Sequence, residues 1–357
     1  EDVAAVTRHG RERGIAVVAR GAGHSVDGQP LSPGGIVVVT DTLADVRRTG
    51  PDRVSAGAGA RWSAVVAATL PDGLAPPVLP DYLELSVGGV LAAGGVGGAC
   101  HRHGFVADNV HDLDVVTPDG ALVTCSPTER PGLFDAVRGG QGRHGVITRA
   151  TLALTAAPAL VRRHELSYRD LGVFLADQAL VAASQRFAHV EGHARHVAGA
   201  GWWFGLHAVA DVDADASLPE GLRPDSAHVE TGPYLDFLHR AAPVEAHLRA
   251  TGSWQRDPHP RITLLVPGRH AASLVGLALD DLPPEDVAGG RVLVYPIPTD
   301  HLAAPNVPRA DDALTVVLAI PRTAPAGDPD ALDRMRRANK SLTALVEEAG
   351  GARYPAA

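Results

Sequence analysis

A chain of 357 residues exceeds one ordinary hydrophobic core and points to two domains. With 45% hydrophobic and 20% charged residues it has the balance of a folded enzyme, and a net charge of −9 with no basic run longer than two residues argues against a nucleic-acid partner. No stretch of 18 apolar residues predicts a membrane span, and Cys100 and Cys125 are too few for a disulfide framework or a Cys-rich zinc site, so both read as ordinary thiols.

The opening Glu1-Asp2-Val3-Ala4-Ala5-Val6 reads as the first turn of a helix already under way. That implies a trimmed start and leaves the compartment, cytoplasmic or secreted, open. Short β-branched runs at Val17–Arg20, Ile36–Val39, Val115–Thr117 and Ala121–Thr124 predict strands. Pro118-Asp119-Gly120 is a turn that joins the last two as an antiparallel pair. A helix is expected over Arg61–Leu70, stopped by Pro71 and Gly73, and a strand over Gly145–Leu154. Ala156-Ala157-Pro158 is the expected domain boundary. Beyond it, helices are expected over Tyr234–Ala250 and Asp328–Ala349, with strands at Thr263–Val266, Val292–Tyr295 and Leu314–Ile320. The mixture implies an α+β cap on an α+β base.

Three glycine clusters point to a ligand. Arg20-Gly21-Ala22-Gly23-His24-Ser25 follows a strand directly, and glycines at alternate positions let backbone amides approach a pyrophosphate. It is not the GxGxxG fingerprint, because no helix continues from it. Ser86-Val87-Gly88-Gly89 and Gly94-Gly95-Val96-Gly97-Gly98 place six glycines within eleven residues. That is too many for a regular helix, where each costs about 1 kcal/mol against alanine; a buried segment pressed on a flat ligand is expected instead. Gly139-Gly140-Gln141-Gly142 lies between a helix ending near Arg138 and the strand Gly145-Val146-Ile147-Thr148. Three such loops in one domain indicate a large anionic cofactor.

The order GxGHS with Gln29 just beyond, Asp81-Tyr82-Leu83 before Val87-Gly88-Gly89, Phe134–Gly140 and Gly145–Arg149 resembles the FAD-linked oxidases of the vanillyl-alcohol oxidase type. More closely the chain is similar to the cytokinin dehydrogenases. His103-Gly104, Asn109-Val110, Asp114–Thr117, Val123–Ser126, Val190-Glu191-Gly192, Tyr234–Leu238 and Trp254 with Pro258-His259-Pro260 carry that likeness along nearly the whole chain. The resemblance implies a two-domain α+β fold of the PCMH type. Residues 1–157 would form the FAD-binding domain, lacking its first strand, and 158–357 the substrate cap, lacking its closing segment.

By the same resemblance His24 would carry the flavin covalently on its 8α carbon, which withdraws electron density and makes the flavin a stronger oxidant. Gly21, Ala22, Gly23, Ser25 and Gln29 would surround the diphosphate, and Ser86, Gly88, Gly89, Ala92, Val96 and Ile147 would line the rest of the cofactor. Asp81 would touch the flavin site as well and act as base or amine anchor when a C–N bond is oxidised. The implied reaction is oxidation of a cytokinin-like N6-substituted adenine, with oxygen or a quinone-like molecule as final acceptor. A sugar, alcohol or alkaloid oxidase on the same fold, and a flavin-binding protein without catalysis, are the alternatives.

The sequence departs from the family at three places. Along Trp202–His207 the position nearest the family's substrate-domain glutamate is His207, a candidate for substrate contact. After Pro258-His259-Pro260 an aromatic and an amide residue are replaced by Arg261 and Thr263. A cation there favours a substrate with a phosphate, a carboxylate or sugar hydroxyls. No second flavin-linking cysteine precedes the Val-Gly-Gly. His189, His193 and His196 would suit a metal on a helix, but the family has a strand here that splays them, so no metal is expected.

Overall fold

A computed structural model describes residues 1–214, 216–287 and 290–355. They form two units: 1–97 with 103–157 and 303–307, and 98–102 with 158–302 and 308–357. A single cut after Ala157 therefore leaves two short segments on the wrong side.

The first unit opens on the expected helix, Asp2–Arg13, followed by a parallel pair of strands, Val17–Arg20 and Ile36–Val39. Its main sheet is antiparallel, in the order Val46–Gly50, Arg53–Gly57, Val146–Ala153, Val110–Val116, Leu122–Cys125. The last two pair as the Pro-Asp-Gly turn requires, with Asp114 opposite Thr124 and the Asp119 side chain accepting from the Ala121 amide at 3.3 Å. The helix expected over Arg61–Leu70 runs Trp62–Thr69 and gives way to one tight turn, Leu70–Asp72, at Pro71. Trp62, Val65 and Val66 from it are buried with Val54, Ala56, Leu113 and Val115 of the sheet.

The second glycine cluster departs from expectation. Val87–Ala93 is a short α-helix that includes Gly88 and Gly89, and only the glycines beyond it form a loop. Close approach explains why the glycine penalty is tolerated: a Cβ on Gly88 would lie 2.6 Å from the Ala58 methyl, and the Gly88 amide donates to the Ala58 carbonyl at 2.8 Å. The third cluster also reads differently. The Gly139 and Gln141 amides donate to the Leu91 and Ala92 carbonyls at 3.0 and 2.9 Å, so this loop caps the short helix rather than presenting those two donors to an anion.

The second unit is built on an eight-stranded antiparallel sheet. Its order is Ser226–Pro233, Leu160–Tyr168, Gly201–Asp211, His189–Val197, Val292–Pro298, Leu314–Ile320, Ile262–Pro267, Ala352–Tyr354. Helices Leu171–Ala183, Ala271–Asp280 and Pro329–Glu348 share one core with one face of it. Two of them start at aspartates: Asp170 accepts from the Val173 amide at 2.8 Å and Asp328 from the Ala331 amide at 2.9 Å. Strand alternation sends Leu166, Leu206, Val190, Val294, Leu318 and Leu264 into that core. The helix expected over Tyr234–Ala250 is instead two, Tyr234–Leu238 and Ala242–Ala250. Pro243 lacks an amide hydrogen and fits only the first turn of a helix, so it forces a new start there.

Candidate active site

In the first unit the Gly21–Ser25 loop leaves the Val17–Arg20 strand and meets the start of the Val87–Ala93 helix. The Ala22 amide donates to the Ser86 hydroxyl at 3.3 Å, and any Cβ on Gly21 would overlap that same hydroxyl. Among the described residues the amides of Gly23, Ser25 and Val26 have no protein acceptor. Exposed amide donors beside glycines are what an oxyanion of a cofactor needs, so the loop fits a diphosphate. Gln29 is partly committed, since its Oε1 accepts from the Asp27 amide at 3.3 Å.

The His24 ring lies half-buried with its centroid 5.2 Å from that of Tyr82, tilted by 48°. The structure thus brings the GxGHS loop to the residue next to Asp81, although 56 positions separate Ser25 from Asp81. Gly97 lies against the Leu79 carbonyl so closely that it admits no side chain, which holds the stretch leading to Asp81 in place. Ser86, Gly88 and Ile147 are buried, Ala92 and Val96 half-buried, and Gly89 exposed.

In the second unit the sheet face opposite the core carries a polar row on three strands, Leu160–Tyr168, Gly201–Asp211 and His189–Val197, while Leu265, Val317 and Tyr295 make its other half apolar and buried. Register sets Glu165, His207 and Glu191 side by side on three neighbouring strands, with Arg163 and His189 on one side of that row and His193 on the other. His207 lies 3.8 Å from the Glu165 carboxylate, and its ring centroid is 5.0 Å from that of His193. Burial depresses both imidazoles, His207 to about 4 against the pull of Glu191 and Glu165, and His193 to about 3 with His207 adding to the effect. Both are neutral near pH 7, and each can offer one donor and one acceptor.

Glu191 is the residue that sequence reasoning passed over, quoted only as the middle of Val-Glu-Gly. It is 8% exposed and accepts from Arg240 Nη2 at 3.0 Å. Burial, the largest single influence, pushes its carboxyl up, but the Arg240 guanidinium and the contact with His189 Nε2 at 3.4 Å together outweigh it, so the group stays well below the usual carboxylate range. His189 is itself neutral, because burial and Arg240 depress it, and it acts as a hydrogen-bond partner rather than a charge. Arg240 also lies over the Phe237 ring, 4.6 Å from its centroid. The buried carboxylate is thus held ionised by a stacked arginine, on a face that also carries the Arg163–Glu165 ion pair. The sequence held no signal for it, because Arg240 stands beside Glu191 only once the strand and the Tyr234–Leu238 helix have packed. His189 and His193 share this face, whereas His196 points to the other and meets Trp202 edge-on at 5.4 Å, as the strand reading requires.

Comparison with known proteins follows the same division. The family described as an FAD binding domain matches residues 1–126, and the family described as cytokinin dehydrogenase 1, FAD and cytokinin binding, matches residues 221–353. Cytokinin dehydrogenase 8 of Oryza sativa subsp. indica is 36% identical over 86% of this chain and 67% of its own length. The chain belongs to the cytokinin dehydrogenase family. The uncharacterized oxidoreductase ORF5 in the fasciation locus of Rhodococcoides fascians is 38% identical over 99% of this chain and 81% of its own length. In fold, 6-hydroxy-D-nicotine oxidase from Arthrobacter nicotinovorans superposes with a TM-score of 0.75 at 22% identity, covering 99% of this chain and 79% of that one. A VAO-type flavoprotein from Myceliophthora thermophila gives 0.78 at 18% identity, covering 99% and 70%. Like its relatives, this cytokinin dehydrogenase-family protein is an FAD-dependent oxidoreductase with the two-domain α+β PCMH-type fold. No helix among the described residues is long and apolar enough to cross a membrane.

Proposed function

We propose that the protein oxidises the C–N bond of an N6-substituted adenine, with FAD held covalently by His24 and Asp81 acting on the substrate amine. The observation that supports this most is the placement of the His24 ring 5.2 Å from the ring of Tyr82, the neighbour of Asp81. FAD, when bound, supplies the acceptor for the hydride that leaves the substrate carbon. The chain's own residues do the rest. Gly21, Ala22, Gly23, Ser25 and Gln29 hold the diphosphate, and Ser86, Gly88, Gly89, Ala92, Val96 and Ile147 line the remainder of the cofactor.

Asp81 takes the amine proton as the C–H bond is cleaved, or anchors that N–H so that the carbon is aligned. In the polar row of the second unit, neutral His207 accepts a hydrogen bond from the purine, and ionised Glu191 fixes the electrostatic polarity of that wall. Oxygen or a quinone-like compound would serve as the final electron acceptor.

The test is Asp81→Asn. Turnover of the best substrate should fall about 10²- to 10⁴-fold, the range for losing a general base, while flavin content stays near that of the wild type. Near-normal turnover would make Asp81 a structural residue and remove it from the mechanism.

A further inference from the structure

Trp254 lies at one end of the second unit's sheet with two guanidinium groups on its ring, Arg261 at 4.9 Å and Arg249 at 5.3 Å from the centroid. Their circumstances differ. Arg249 donates twice to Glu245, through Nε at 2.9 Å and Nη2 at 2.6 Å. Arg261 has no carboxylate within ion-pair distance among the described residues, and its Nε is covered by protein without any hydrogen-bond partner. Burial pushes its pKa down, opposed only by the more distant Glu245, yet a guanidinium stays charged at any ordinary pH.

A half-buried guanidinium without a carboxylate is costly in the free protein, because its Nε has lost water and no protein acceptor replaces it, while its Nη groups remain open to a ligand. Stacking on an indole recovers only part of that loss. The partner that would complete it is an oxyanion, which the planar guanidinium fork matches with two parallel hydrogen bonds.

The position suits a substrate contact. Ile262 enters the core, so alternation assigns Thr263, and Arg261 just before the strand, to the opposite face, the same face that carries Glu191, His193 and His207 on strands beyond the apolar Leu265, Val317 and Tyr295. Thr263 is in register with Ala319, Leu293 and His193, three strands away, or roughly 14 Å at the usual strand spacing. That is of the order of a nucleotide's length. The segment also falls within the stretch matched by the FAD and cytokinin binding family.

We propose that Arg261, braced by Trp254, binds an oxyanion on the substrate, so that the favoured N6-substituted adenine is its riboside 5′-monophosphate rather than the free base. This rests on the N6-substituted adenine reading above, and the test separates the two. The measurement is kcat/KM of the holoenzyme for isopentenyladenine, its riboside and its riboside 5′-monophosphate under one electron acceptor, in wild type, Arg261→Gln and Arg261→Lys. The monophosphate should lead the riboside in the wild type. Arg261→Gln should shrink that ratio about 10- to 100-fold, the worth of a charge-assisted contact, and Arg261→Lys less, since it keeps the charge but not the fork.

Calorimetric binding of adenosine 5′-monophosphate against adenosine gives a readout independent of turnover. Tighter binding of the monophosphate, lost in Arg261→Gln, supports the oxyanion site even if none of the three compounds is oxidised, in which case only the reaction falls. Equal binding of the two, or a monophosphate-to-riboside ratio unmoved by either variant, overturns the proposal. If Arg261→Gln does not fold, Arg261→Lys and the wild-type ratio still decide it.

Discussion

Arg240→Ala isolates the electrostatics of the polar row. In the wild type a buried Glu191 is matched by Arg240 at 3.0 Å, with side chains 10% and 17% exposed. Removing one partner of a buried pair leaves an uncompensated charge and costs about 3–5 kcal/mol. For a unit of this size that is a fall in Tm of roughly 6–20 °C at neutral pH. The pH dependence identifies the cause. Glu191 in the wild type is depressed, so its contribution is present above the unfolded carboxylate pKa and lost as pH falls through the folded value. In the variant burial is left as the main influence and raises the carboxyl, so the group becomes protonated at higher pH and the penalty shrinks in acid. The assay is thermal unfolding of both proteins at pH 8 and pH 5, comparing the difference between them. A penalty of the same size at both pH values would mean that Arg240 acts through its stacking on Phe237 and not through the Glu191 charge.

Acid-precipitated wild-type protein should retain its flavin absorbance in the pellet, and His24→Ala should release it to the supernatant; release from the wild type would disprove the covalent link while leaving FAD binding intact. In the second unit Asp286 holds Arg322 at 2.9 Å and Arg334 at 2.7 Å, with the Asp286 and Arg322 side chains 1% and 3% exposed. Asp286→Ala should therefore cost about 3–5 kcal/mol in urea unfolding, and a loss under about 1 kcal/mol would show that Arg322 finds another partner.

What was legible in the sequence was local. Val17–Arg20, Ile36–Val39 and Leu314–Ile320 are strands at the positions that β-branched runs indicate, and Pro329–Glu348 keeps its expected bounds to within a residue. Errors arose where tertiary contact overrides propensity. Gly88 is required in its helix because Ala58, thirty residues earlier, lies against it and leaves no room for a Cβ. Likewise Glu191 acquires its meaning from Arg240, which is nearby only once the strand and the Tyr234–Leu238 helix have packed. The GxGHS loop and Asp81 could be named from the family likeness, but the tilted contact of His24 with Tyr82 required the fold. The 98–102 and 303–307 segments, each assigned to the other unit from its flanking residues, carry no signal in the sequence at all.

The second unit's buried histidines make a last prediction, that stability falls as pH drops below neutrality. Burial holds His101 and His207 at about 4 and His193 at about 3, and with Arg240 it depresses His189 as well. A folded pKa below the unfolded value of 6.5 means that the unfolded chain takes up the proton first. The stabilisation is thus complete above about 6.5 and drains away as pH falls toward the folded values. For His101 alone, the displacement from 6.5 to about 4 corresponds to something on the order of 3 kcal/mol. One interaction opposes this. His101 Nδ1 lies 2.8 Å from the Gly98 carbonyl and Nε2 3.0 Å from the Phe187 carbonyl, and only an imidazolium can donate to both. At 1% exposure, however, the cost of burying the charge exceeds the worth of one added hydrogen bond. Thermal unfolding at pH 7.5, 6 and 5 should therefore show a progressive fall in Tm. A Tm that held steady or rose at pH 5 would mean that the two carbonyls keep His101 protonated in the native protein and that burial is the weaker influence.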